Sequence, residues 1–105
     1  MAESWINEAL EGLIEELAAI EHGRWSRWQR YMHGKSQQAE DGSLVVPADL
    51  AERWARQMRT EYHSLEEAER ESDREQVREY LPIIAAALKA ADAKRRDASS
   101  PVGEP

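Results

Sequence analysis

The sequence has no cysteine among its 105 residues, so disulfides, thiolate metal sites and a cysteine nucleophile are all excluded. A reducing cytoplasm is the compartment this points to. Long hydrophobic runs are missing too: the longest mainly apolar stretch, Pro82 to Ala91 with Lys89 inside it, falls far short of the ~20 residues a bilayer span requires. The opening Met1-Ala2-Glu3-Ser4-Trp5 lacks the basic and apolar regions of a secretory leader. Basic charge is scarce, with 14 Lys and Arg against 21 Asp and Glu for a net charge of -7, which disfavours general binding to nucleic acid. His22, His33 and His63 show no His-x-x-x-His spacing and no accompanying carboxylate cluster, so no metal site and no cofactor is expected. Ser64 and Ser72 read as helix caps, and no other nucleophile stands beside an oxyanion site. The chain therefore reads as a non-enzyme.

What is present is charge in blocks. Between Glu3 and Glu21 there are only acids, and from Arg24 to Lys35 only bases, namely Arg24, Arg27, Arg30 and Lys35. Acid dominates again from Glu61 to Glu79, before a mildly basic Lys94-Arg95-Arg96. A short basic window in an acidic protein suits a small anionic ligand, or an acidic face on a partner, better than a long phosphate backbone. The plainer reading is a pair of complementary helix faces within the fold.

Apolar periodicity predicts an all-α domain of about four helices. Ile6, Leu10, Leu13, Ile14 and Leu17 start a stripe that Trp25, Trp28 and Met32 continue, which makes a long first helix whose weak point is Gly23. Gly34 to Gly42 reads as a loop, Ser43 to Val46 as a short extended segment, and Pro47 as the first turn of a second helix with Leu50, Trp54 and Met58 on one face. Trp28 and Trp54 are expected in the core. Ser64 and Ser72, each followed three residues later by a glutamate (Glu67 and Glu75), carry the capping-box pattern of two successive helix starts. Pro82 should kink or divide the last helix. One domain over residues 1–96 and a disordered tail from Asp97 to Pro105 complete the reading.

The candidate site joins distant segments. His22 and Trp25, three apart, share a helix face beside Arg24. The stretch Tyr62 to Arg74 is expected to hold Tyr62, Arg70, Asp73 and Arg74 close together. Two rings for stacking, guanidiniums for an anionic group, and an imidazole and a carboxylate for hydroxyls make the composition of a nucleoside or sugar-phosphate site.

The residues Ile20-x-His22-x-x-Trp25, then Val45-Val46-Pro47, then Tyr62-x-x-Leu65-x-x-x-Glu69-Arg70-Glu71-x-Asp73-Arg74, followed by an apolar helix through Leu81, Ile83 and Ile84, resemble the ryanodine-receptor repeat (RyR) domain. The resemblance covers about residues 17–84. It departs from the family where a Gly-Trp-x-x-Gly element is not recognisable, where Arg70 replaces a lysine, where Glu61 replaces a proline, and where the helix from Ala48 to Arg59 is inserted. The resemblance implies binding without catalysis. For small bacterial and phage members it implies sensing or sequestering of a nucleotide-derived signal, ADP-ribose-like or cyclic.

A second reading makes the chain a protein-interaction or oligomeric structural module without a small ligand. Met1 to Leu17 lies outside the resemblance, and an amphipathic helix without a local partner is readily buried in a homo-oligomer, such as a dimer through the first helix.

Overall fold

A computed structural model describes residues 4–99 of the chain, apart from the Ser99 side chain. The described residues are all-α but for one small hairpin: α1 (Ser4–Glu11), α2 (Ile14–Lys35), strands β1 (Gln37–Gln38) and β2 (Leu44–Val45), α3 (Ala48–Arg59), a 3-10 turn (Tyr62–Ser64) and α4 (Glu67–Ser99). No helix among them is long and apolar enough to cross a membrane. They form two compact units, one from residues up to Ile20 together with those from Val77 onward, the other from Glu21–Gln76.

In the first unit the long stripe predicted for the N-terminal helix is interrupted at Gly12-Leu13, not at Gly23. The Leu13 amide donates to the Leu10 carbonyl three residues back (3.0 Å), and the α pattern resumes when the Leu17 amide donates to the Leu13 carbonyl (2.9 Å). This local tightening accompanies burial: Leu13, 3% exposed, is the one buried side chain among the described residues. Trp5, Ile6, Ala9, Leu17 and Ile20 are half-buried along the same face, as are Tyr80, Ile83, Ile84, Ala87, Leu88 and Ala91 of α4. Arg95 sits 4.8 Å over the Trp5 ring, so the start of the chain lies beside the end of α4.

Pro82 neither divides nor ends α4, which runs unbroken from Glu67 to Ser99. Its ring removes one amide donor from the helix interior, and the flanking turns carry the segment through. The tail expected from Asp97 begins with three helical residues; the rest of that expectation, residues 100–105, lies outside the described residues.

In the second unit, Gly23 lies inside an uninterrupted α2, and a Cβ placed there would meet only the Arg27 guanidinium, at an ordinary 3.6 Å. The helix ends where the Ser36 hydroxyl and amide donate to the Met32 and His33 carbonyls (2.8 and 3.2 Å), closing orphan acceptors of the last turn. β1 and β2 pair antiparallel with Gln37 opposite Val45. The turn between them is closed by the Gly42 amide on the Ala39 carbonyl (3.0 Å), and Asp41 accepts from both the amide and the hydroxyl of Ser43 (2.9 and 2.6 Å). Those bonds, the hydroxyl's first, hold the Asp41 carboxyl below its ordinary range. Gly42 takes φ +89°, a left-handed conformation that a side chain disfavours.

Pro47 occupies the N-cap of α3 with no side-chain cap, and the Thr60 hydroxyl closes its far end on the Arg56 carbonyl (2.7 Å). The two capping boxes expected at Ser64 and Ser72 are corrected to one. Ser64 belongs to the 3-10 turn and Ser72 to the interior of α4. The cap itself is Glu66, whose amide donates to the Glu69 carboxylate (3.2 Å) while its carbonyl accepts the first helical bond from Arg70 (3.0 Å). A glutamate three residues into the helix performs the back-bonding half of the box, two residues beyond the Ser64–Glu67 pattern.

Two substitutions test this account. Gly42→Ala, with open space around the site, should cost about 1–2 kcal/mol from the backbone conformation alone, whereas Pro82→Ala should stabilise α4 by as much as ~3 kcal/mol. Thermal and urea denaturation of both variants check the two signs.

Candidate functional site

Within the Glu21–Gln76 unit three helical faces surround a cavity of about 690 Å³. From α2 come Arg24, Arg27, Trp28 and Tyr31, spaced as one face; from α3 come Arg53, Trp54, Gln57 and Met58; from the first turns of α4 come Ala68, Glu69, Ser72, Asp73 and Gln76, with Leu65 just before. These positions recur at three and four residues because only such spacing keeps side chains on one side of a helix.

Each helix is fastened to the other two across the cavity wall. Trp28 meets Trp54 edge to face at 5.2 Å between ring centres, a favoured geometry for aromatic pairs. The Arg27 guanidinium donates to the Gln76 side-chain oxygen (3.3 Å), and the Gln57 amide donates to the Glu69 carboxylate. Tyr31 stacks on Trp28 at 5.6 Å, and Lys35 lies 5.7 Å above the Tyr31 ring. The rings are not sealed: Trp28 is 41% exposed and Tyr31 45%. The core expectation for Trp28 is therefore corrected, since its indole meets Trp54 and Tyr31 and also lines an open cavity; Trp54 is half-buried.

The cavity wall mixes charge. Three guanidiniums, of Arg24, Arg27 and Arg53, face two carboxylates, of Glu69 and Asp73. Arg24 is also paired with Glu21. The Glu69 carboxyl lies below its ordinary value of 4.5, chiefly through the Gln57 hydrogen bond and further through the Glu66 amide, Arg56 and Arg53, so Glu69 stands ionised at neutral pH. Donors for an anionic group, acceptors for hydroxyl or amino groups and ring faces for a planar group thus line one space.

Of the seven residues singled out from the sequence, the structure brings Arg24 and Asp73 to this cavity. His22 and Trp25 stack on each other at 5.9 Å, with Trp25 54% exposed, but neither lines the cavity; helical rotation carries them away from the face of Arg24, Arg27 and Tyr31. Tyr62, Arg70 and Arg74 come together in a separate cluster at the start of α4. Arg74 donates to Glu67 (2.7 Å) and Glu71 (3.2 Å), and Arg70 donates to Glu67 (2.7 Å) and to the His63 carbonyl (3.2 Å). Bonds to Glu67, then Glu71 and the Tyr62 hydroxyl, push the Arg74 guanidinium still further above its ordinary range, and Glu67 is lowered by the same contacts, Arg74's first and Arg70's next. The expected meeting of Tyr62 with Arg74 thus occurs, in a network whose guanidiniums are held by the protein's own carboxylates.

The cavity residues that sequence reasoning passed over are Arg27, Tyr31, Arg53, Gln57, Met58, Glu69 and Gln76. The available signal lay in α2: bases at 24 and 27 with rings at 28 and 31 form one mixed face, and treating the tryptophans as core hid it. Among the described residues no group of three His, Asp or Glu side chains could hold a metal ion. No family model, curated protein or solved structure matches the chain.

Glu69 generates a pH prediction. Its folded-state value lies below the ordinary 4.5, so the native state binds fewer protons than the unfolded chain in that window and stability rises with pH through it. The contribution is complete above about pH 4.5 and disappears as the pH falls through the folded value; Glu67, lowered from the same ordinary 4.5, adds in the same direction. Melting curves taken from about pH 7 down to about pH 3 should be flat at first and then fall, and Glu69→Gln should both lower the neutral-pH melting temperature and flatten the acid drop.

Proposed function

We propose that the chain is a non-catalytic binding module for a small anionic ligand carrying a planar ring, of the nucleotide-derived class. One observation carries this: Arg24, Arg27 and Arg53 share a single open cavity with the rings of Trp28, Tyr31 and Trp54. Guanidiniums bind phosphate or carboxylate oxygens in forked pairs, and exposed rings offer stacking area to a base. Glu69 and Asp73 add acceptors for ribose hydroxyls or an exocyclic amine. A cavity of about 690 Å³ lies within the range of small-molecule sites, roughly 300–1,000 Å³.

The resemblance to ryanodine-receptor repeat domains bears on the same class. On that analogy the ligand would be an ADP-ribose-like or cyclic nucleotide signal, sensed or sequestered by a bacterial or phage protein. Of the seven residues read as a site from the sequence, Arg24 and Asp73 line the cavity, whereas His22, Trp25, Tyr62, Arg70 and Arg74 are not among its lining residues.

Calorimetric titration with ADP-ribose, AMP and cyclic AMP, followed in parallel by tryptophan fluorescence, tests the proposal. One of the three should bind and perturb the emission of Trp28 and Trp54, Arg53→Ala should weaken it by about tenfold or more, and Arg74→Ala should leave the affinity unchanged. Binding that survives Arg53→Ala but is lost with Arg74→Ala moves the site to the turn cluster. Absence of heat and of fluorescence change with all three at millimolar concentration removes the nucleotide class.

A further inference from the structure

Three of the five charged groups lining the cavity already have a partner in the protein. Arg24 is paired with Glu21, Arg27 is bonded to Gln76, and the Glu69 carboxylate accepts from the Gln57 side chain and the Glu66 amide. Arg53 and Asp73 differ. Among the described residues, neither the Arg53 guanidinium on α3 nor the Asp73 carboxylate on α4 makes a hydrogen bond or an ion pair, with the other or with any third group. Both are exposed. Arg53 feels the protein's own acids only through its longer-range attraction to Glu69. An open base and an open acid that share one cavity without pairing suit a ligand with an anion at one end and hydrogen-bond donors at the other.

We propose that this ligand is a guanine nucleotide whose phosphate is taken by Arg53 and whose base edge is read by Asp73, an inference that rests on the nucleotide reading of the cavity. Guanine carries its N1–H and its exocyclic amine side by side as parallel donors, which a carboxylate accepts with both oxygens at once. Adenine has a lone pair at N1 beside its amine, so the same carboxylate gains one bond and meets one repulsion. Asp73 is the carboxylate in the wall with both oxygens open. The ring surface of Trp28 and Tyr31, 41% and 45% exposed, stacks on any base alike. Choice between bases therefore falls to Asp73.

Calorimetric titration with GMP, IMP and AMP at neutral pH tests the assignment. IMP keeps the N1–H and lacks the amine, so affinity should fall from GMP through IMP to AMP, with GMP about tenfold or more tighter than AMP. Asp73→Asn replaces one oxygen by an amide NH2, and the resulting donor and acceptor fit adenine's N1 and amine. It should weaken GMP and tighten AMP, a gain that a damaged fold does not produce. Arg53→Ala should weaken all three by a similar factor and keep their order. Equal affinities for GMP and AMP, or a ratio that Asp73→Asn does not move, overturn the assignment of the base while the nucleotide reading stands. If none of the three binds at millimolar concentration, that reading fails and this inference with it.

Discussion

The Glu69 carboxylate holds the Glu21–Gln76 unit at two points at once. One oxygen accepts the Glu66 amide and so fixes where α4 begins; the other accepts the Gln57 side chain and so fixes α3 against that beginning. The Trp28–Trp54 contact then places α2 on α3, and Arg27–Gln76 returns from α2 to α4. The cavity is what these three links enclose. A shift in the first turn of α4 moves Glu69, Ser72, Asp73 and Gln76 together, because all four ride on the same helical face. The position of a helix start, normally a matter of local capping, here decides the shape of a site.

Two arginine-rich clusters sit close in sequence and differ in chemistry. Arg70 and Arg74 converge on Glu67 and are supported by Glu71, Tyr62 and the His63 carbonyl. Such exposed pairs contribute little stability each, but together they tie the turn that leads into α4 to the first turns of that helix. The cavity arginines border rings as well as carboxylates: Arg24 is paired with Glu21, Arg27 is bonded to Gln76, and Glu69 and Asp73 share the lining. Glu69 is in turn engaged with Gln57 and Glu66.

Helical periodicity made the class of the fold legible, along with the positions of α3, the loop after α2 and the extended pair before Pro47. The signals that misled were those with two physical meanings. Ser72 followed by Glu75 is a capping pattern, yet serine in a helix interior loses only a few tenths of a kcal/mol, so α4 runs through it. Pro82 breaks isolated helices, but a long helix with an apolar face packed on its neighbours tolerates a missing donor. Gly23 and Gly12 are equal in propensity; the break falls at Gly12 because Leu13 beside it is the residue that buries. For the site, spacing gives the residues that share a face but not which faces meet. His22 and Trp25 do share one, and it is not the face that meets α3. The pairing of Trp28 with Trp54 is a long-range fact no local pattern contains.

That Leu13, 3% exposed, is the one buried side chain among the described residues sets a condition on the cavity. Apolar burial is the main favourable term in folding, and this chain leaves several of its large apolar side chains exposed, including Trp28, Met58, Leu81 and Ile14. A group that binds the folded chain and not the unfolded one stabilises it by an amount that grows with the logarithm of its concentration. Ring stacking in the cavity would act this way, through ligand concentration.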